Sequence, residues 1–449
     1  MSLEQFGYED QLDRALTLGD LLVYGMIFMV PIAPFAVFGF VWRDAKGMVA
    51  LAYLIGLTGM LFTALSYAAM SRAFPLAGSV YAYVQRGLHE TAGFLAGWLI
   101  LLDYILIPAL LYLFSAVALR PLLPAIPAWV WLVGFVALNA AANVLGVRFT
   151  ARLYKVLLAL ELLILALFVS FAAAALYRGA GAGRLTLAPL YDPHVFSLTT
   201  VAGATSIAVL SFLGFDGIST LSEESAGARN AVARATLLSL ILIGALFMLQ
   251  TWLAADLAQG MHFRSAATAF YAIAARAGGN GLRLAAILAI VISFGIANAM
   301  AAQAAVSRIL FAMARDRKLP AVLAAVHPRF KTPYVSTLLV AGVSLLVGLF
   351  FARRIDDLSR VVNFGALTSF ALLHVAVAYH HWVRQRTGAW FRHLICPLAG
   401  LGVILYVLYG MNPAAKILGG AWIALGILYY LVLTLRARNR PAPASIPPG

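Results

Sequence analysis

The chain has 449 residues, 63% of them hydrophobic and 11% charged, with a mean hydropathy of +0.92. That composition excludes a water-soluble domain, and apolar runs of about twenty residues exclude the ten-residue alternation of a membrane β-barrel, leaving an all-α polytopic membrane protein. The formal charge of +15 is scattered through short loops between apolar runs, which reads as membrane topology and not as a nucleic-acid surface.

The N-terminal segment, residues 1–16, is acidic and has no basic stretch of the kind that opens a cleaved signal peptide. Hydropathy with Gly, Pro and charge punctuation then gives twelve expected spans: 17–41, 48–71, 91–119, 127–147, 150–177, 196–222, 232–256, 281–313, 333–351, 360–383, 392–410 and 415–435. An even count puts both termini on one side. Most of the 32 Lys and Arg fall on that side, so the termini are expected in the cytoplasm and the protein in the inner (plasma) membrane. Between spans two and three, SRAFPLAGSVYAYVQRGL is too polar to cross and reads as a turn and a short amphipathic helix, with Tyr81 and Tyr83 suited to the interface. The tail, residues 437–449, is rich in proline and expected to be disordered. The single cysteine, Cys396, leaves no intrachain disulfide and reads as a small core residue.

The first span is interrupted by Pro31 and Pro34, which remove two backbone donors, so it is expected to unwind near Met29–Pro34. The sixth span is interrupted at the matching place by SFLGFDGISTLSEE, residues 211–224, where Gly214 and Gly217 give backbone freedom. Paired interruptions in two halves of a chain point to an inverted repeat with its site at the bilayer midplane. Spans one to five (residues 17–178) form the first expected repeat and spans six to ten (196–385) the second, with two peripheral spans at 390–436.

A carboxylate at membrane depth costs about 2.5–3.5 kcal/mol even on lenient scales, so each one there needs a partner or a cavity. Asp216 lies in the sixth-span break, Asp103 in ILLDYIL beside Tyr104, and Glu161 in LALELLIL. Opened carbonyls around Ser211 and Gly214, the rings of Phe212 and Phe215, and the break of span one (Met29, Val30, Ile32, Ala33) complete a candidate pocket for a small cation. Whether Asp216 touches the substrate or couples its binding to a gate is left open. Glu223 and Glu224 sit near Arg229 and Arg234 and are expected to form an inner gate. His374 reads as a packed interior histidine. No phosphate loop, catalytic triad, HExxH or metal-ligand cluster is present, so neither a cofactor nor an enzyme activity is expected.

The stretches FPLAGSVYAYVQ (74–85), GWLILLDYILIP (97–108), SFLGFDGISTLSEE (211–224), SRILFAMARDRKLP (307–320), VHPRFKTP (326–333) and NFGAL (363–367) resemble the amino acid, polyamine and organocation transporter superfamily. Within it the chain is most similar to the bacterial putrescine importer branch, from about Leu18 to Arg436. The resemblance implies a leucine-transporter-like fold of ten core helices plus two, and uptake of a cationic amine driven by an ion gradient. Amino acid carriers of the superfamily hold the substrate carboxylate on bare N–H groups of a glycine-rich break. Here the break reads MVPIAPF, which favours an amine without a carboxylate, although Ala33 or Phe35 retains a donor. A lysine often stands at the Glu161 position in proton-coupled members. An acidic residue there is expected to exchange the proton itself or, as a second reading, to pair with the amine.

The expected function is import of a small amine such as putrescine by proton symport. The alternative is an amino acid permease or an amine/amino acid exchanger of the same superfamily. The expected partners are the amine, protons and the lipid bilayer; the sequence carries no signal for oligomeric state.

Overall fold

The computed structural model describes residues 16–74, 79–146, 151–221, 230–315 and 319–438. Its helices, in chain order, are α1 (Leu18–Met29), α2 (Pro34–Asp44), α3 (Val49–Ala73), α4 (Ser79–Gly87), α5 (Glu90–Ala118), α6 (Ala128–Val144), α7 (Ala151–Tyr177), α8 (Leu198–Ala208) and α9 (Ala231–Ala258). They continue with α10 (Ala269–Ile290), α11 (Ala299–Arg315), α12 (Tyr334–Phe351), α13 (Ile355–Val377), α14 (Cys396–Gly410) and α15 (Pro413–Arg438). Long apolar runs take this form because a helix satisfies its own backbone hydrogen bonds where no water is at hand.

Among the described residues, ten helical segments, one of them running from α10 through α11, are long and apolar enough to cross a membrane, or eleven when the bent pair α1 and α2 is taken as one span. The expected fourth span is α6, a shorter apolar helix of 17 residues. The chain is therefore a multi-pass membrane protein.

The break in the first span falls where the prolines place it. A capping box between Thr17 and Asp20 starts α1, the helix stops at Met29, and Val30 takes a positive φ of 51°. Pro34 opens α2, a position where its missing N–H costs nothing, and the two halves bend by 53°. The second break follows α8. A 3₁₀ turn over Val209–Phe212 ends at an extended Leu213, and Gly214 turns with φ +106° into a second 3₁₀ segment, Phe215–Leu221. A Cβ on Gly214 would stand 2.9 Å from the Phe28 carbonyl oxygen, so the two breaks touch here.

Around the breaks, α1 and α3 pack on α9, α2 on α8, and α5 on α13. Burial within the described residues is uneven: 11% of the spanning window is buried for α15, 28% for α14 and 33% for α7 and α12, against 67% for the span containing α8. A π-helical turn, Val291–Asn298, links α10 to α11. The short helix α4 forms as expected, but only Tyr81 is exposed. Tyr83 is fully buried, edge-on to Tyr67, because α4 packs against α5 and α13 and so does not lie free at the interface.

Candidate functional site

Where the breaks meet, α1, α2, α5, the Leu210–Gly217 stretch and the π-turn enclose a cavity of about 110 Å3. At roughly 10–15 Å3 per water, that is room for several waters or one small solute. Eight of the eleven residues expected to bind substrate line it: Met29, Val30, Ala33, Asp103, Tyr104, Ser211, Gly214 and Asp216.

The carboxylates are the chemical centre of this cavity. Asp216 is buried in the first turn of the second 3₁₀ segment, where its own backbone N–H and those of Gly214 and Gly217 reach its carboxylate. The Tyr104 hydroxyl donates to its Oδ2 at 3.3 Å. Asp103, one residue earlier on α5, is also buried, and its Oδ1 has no hydrogen-bond partner. Gly365 sets its position: a Cβ there would approach the Leu99 carbonyl oxygen at 2.7 Å and the Asp103 nitrogen at 3.2 Å, so α13 lies directly on the α5 backbone. Among the described residues no Lys, Arg or His lines the cavity.

Three expected residues do not face the cavity. Ile32 lies fully buried in the protein core. Phe212 packs against Tyr53 and Phe247, and Phe215 against Tyr67 and Phe370. The 3₁₀ turns on both sides of Gly214 rotate these rings toward α3, α9 and α13, away from the centre. The aromatic wall comes instead from Phe28, Phe114 and Phe294, with Asn298 as an added polar group. In the sequence the three rings look like ordinary apolar span residues; in the structure Phe294 and Asn298 both belong to the π-turn.

The break in span one has little to offer a carboxylate. The N–H of Val30 is spent on the Met26 carbonyl, that of Ala33 on Val30, and that of Phe35 on Ile32. The Pro31 carbonyl accepts from Gln250 Nε2 at 2.9 Å, which ties the break to α9. Glu161 does not line the cavity. It is buried on α7, accepts the Ser293 hydroxyl of the π-turn at 2.5 Å, and has Oε2 without a partner. Glu223 and Glu224 lie outside the described residues.

A second, larger cavity of about 650 Å3 adjoins the first, lined among others by Asp20, Lys155, Arg308 and Lys331. Phe28 and Ala305 border both cavities. At the far end of α2, Arg360 of α13 pairs with Asp44 of α2 and with Asp356, and Arg43 holds Asp356 at 2.7 Å.

With this geometry in view, the profile of the amino acid permease family matches residues 15–433. The chain belongs to the amino acid permease family. It is thus a membrane transporter of the amino acid, polyamine and organocation superfamily. The low-affinity putrescine importer PlaP of Escherichia coli (strain K12) is 31% identical over 440 residues, 96% of each chain. The branched-chain amino acid permease BcaP of Bacillus subtilis is 26% identical over 451 residues, 94% of each chain. The methylthioribose transporter of the same organism is 26% identical over 453 residues, covering 94% of this permease and 93% of the relative.

Proposed function

We propose that this permease imports a small amine without a carboxylate, such as putrescine, by proton symport across the inner membrane, with both termini in the cytoplasm. The observation that carries the reading is a cavity lined by two buried carboxylates and no basic side chain, in which Asp103 Oδ1 has no donor. An ammonium group supplies what that oxygen wants, and Phe28, Phe114 and Phe294 form a wall over which methylenes and a cation can lie. A diamine places one charged end at Asp103 and the other at Asp216. The match to PlaP over nearly the whole chain supports the same substrate class.

Glu161 is the proposed proton-exchanging group, held by Ser293 beside the π-turn that forms part of the cavity wall. The twelve-span, five-plus-five inverted repeat is the architecture we propose for residues 17–178 and 196–385, with α6 as the fourth span. The larger cavity is on the side rich in Lys and Arg, so the conformation reads as facing the cytoplasm.

The test is uptake of labelled putrescine into proteoliposomes under imposed pH or sodium gradients. Uptake driven by an inward proton gradient, and abolished in Asp216→Asn, is expected. No uptake under either gradient removes the amine reading. The similarity to BcaP keeps a second reading, transport of an amino acid. Competition by ornithine or leucine that exceeds competition by putrescine would favour it, against the spent N–H groups of the break.

A further inference from the structure

Away from the central cavity, where α13 runs on as a π-helix (Ala378–Arg384) and α14 is preceded by another (Phe391–Ile395), three histidines cluster. The rings of His381 and His393 stack with centroids 4.2 Å apart, and His380 stands edge-on to His381 at 4.8 Å. His380 is 5% and His381 7% exposed. Neither ring nitrogen of His380 has a hydrogen-bond partner, nor has Nε2 of His381. The surroundings are cationic: Arg384 acts on His380 and Arg392 on His393, with no carboxylate acting on any of the three rings among the described residues.

Buried polar atoms left without partners are costly, and like charges gathered in one place add to that cost. Stacked rings do not converge on one point, and among the described residues no group of metal-holding side chains is formed. The ligand class that fits this combination is an anion, since it offers acceptors to an imidazole N–H and to guanidinium N–H groups and neutralises Arg384 and Arg392. The level in the membrane identifies the source. Trp382, Trp390 and Phe391 beside the cluster are 40%, 56% and 61% exposed, the aromatic signature of the headgroup layer. Basic pockets between spans at that depth hold acidic headgroups.

We infer that the His380, His381 and His393 cluster, with Arg384 and Arg392, is a binding site for the phosphate of an anionic phospholipid, in the leaflet faced by Arg72. This goes beyond the transport reading and does not depend on it.

The test uses the full chain in detergent, with lipid retention read by native mass spectrometry and melting temperature read with added lipid. Dioleoylphosphatidylglycerol is expected to be retained and to raise the melting temperature; dioleoylphosphatidylcholine is not. Arg384 and Arg392 are exposed, so Arg384→Gln/Arg392→Gln folds, and it is expected to weaken binding about fivefold per arginine removed. His380→Phe, which keeps the ring contact with Phe74 and removes both nitrogens, is expected to lose most of the lipid-dependent shift. An Arg353→Gln/Arg354→Gln control, between α12 and α13, is expected to behave as wild type. Equal retention by wild type and both site variants overturns the proposal. A shift given equally by inorganic phosphate alone overturns the lipid as the source.

Discussion

The Tyr104 hydroxyl reaches Asp216 from the neighbouring residue of Asp103, so one turn of α5 presents both a carboxylate and the hydrogen bond that orients the other carboxylate. Tyr104→Phe removes that bond and leaves the ring. A hydrogen bond to a charged group contributes about 1.5–3 kcal/mol, so the apparent KM for the amine should rise roughly tenfold while the protein inserts normally. Uptake kinetics in proteoliposomes check this; an unchanged KM would detach Tyr104 from the site.

Gly214 and Gly217 looked equivalent as breakers of span six, and the structure separates them. Gly214 has φ +106° and faces the Phe28 carbonyl, whereas a Cβ on Gly217 would meet the Phe28 ring at an ordinary 3.6 Å. Gly214→Ala should therefore abolish transport and lower the melting temperature, by the order of 1–3 kcal/mol of backbone strain. Gly217→Ala should be nearly silent. Parallel uptake and thermal-shift measurements on the two variants decide it.

Glu161→Gln keeps an acceptor for the Ser293 hydroxyl but cannot release a proton. Amine binding should survive, measured by equilibrium binding in detergent. Accumulation driven by a pH gradient should fall to the level of facilitated diffusion. A variant that still accumulates the amine against its gradient would take Glu161 out of the coupling.

The Arg360 side chain is 8% exposed and joins α13 to α2 through Asp44. Its loss removes a charged hydrogen bond of about 1.5–3 kcal/mol from the end of the bundle away from the larger cavity. In a Cys396→Ser background carrying Val37→Cys in the cavity wall, Arg360→Gln should raise labelling by an impermeant maleimide roughly tenfold. Labelling at the parental rate would show that the network does not hold the outer side shut.

Gly400 of α14 lies against His374, and an added Cβ would be 2.6 Å from its Nε2 and 2.8 Å from the Phe62 Cβ. Ser66 and Thr63 hold the ring at 2.8 and 3.2 Å, so His374 joins α3, α13 and α14 as the interior packing residue its setting suggested. Gly400→Ala should cost about 1–3 kcal/mol of stability, read as a lower melting temperature, with the amine KM unchanged.

Proline and glycine made both breaks legible, because a missing donor and a positive φ are properties of single residues and do not wait on tertiary context. Asp103 and Asp216 were legible for a similar reason: charge inside an apolar run has few places to go. The direction of Phe212 and Phe215 was not, since each sits in a 3₁₀ turn beside an extended residue, where helical spacing no longer says which face a side chain takes. Phe28, Phe114 and Phe294 were missed because an aromatic ring in a span carries the same signal whether it meets lipid, core or solute. Tyr83 was misjudged because amphipathicity measures a polar face and not what packs on it.

Phe28 and Ala305 are the two residues common to the small cavity and the large one, whereas the far end is tied by arginines and aspartates from two separate helices. The two exits are therefore unequal in kind. Toward the large cavity the shared border is one partly buried ring and an alanine, and ring rotation is a local event on the side-chain timescale. Toward the far end, several charged contacts have to part together as helices move, on the slower timescale of collective motion. For a solute held between them, as proposed above, the route past Phe28 asks for a side-chain turn and the other route for rearrangement of the bundle, so release toward the larger cavity is the expected direction.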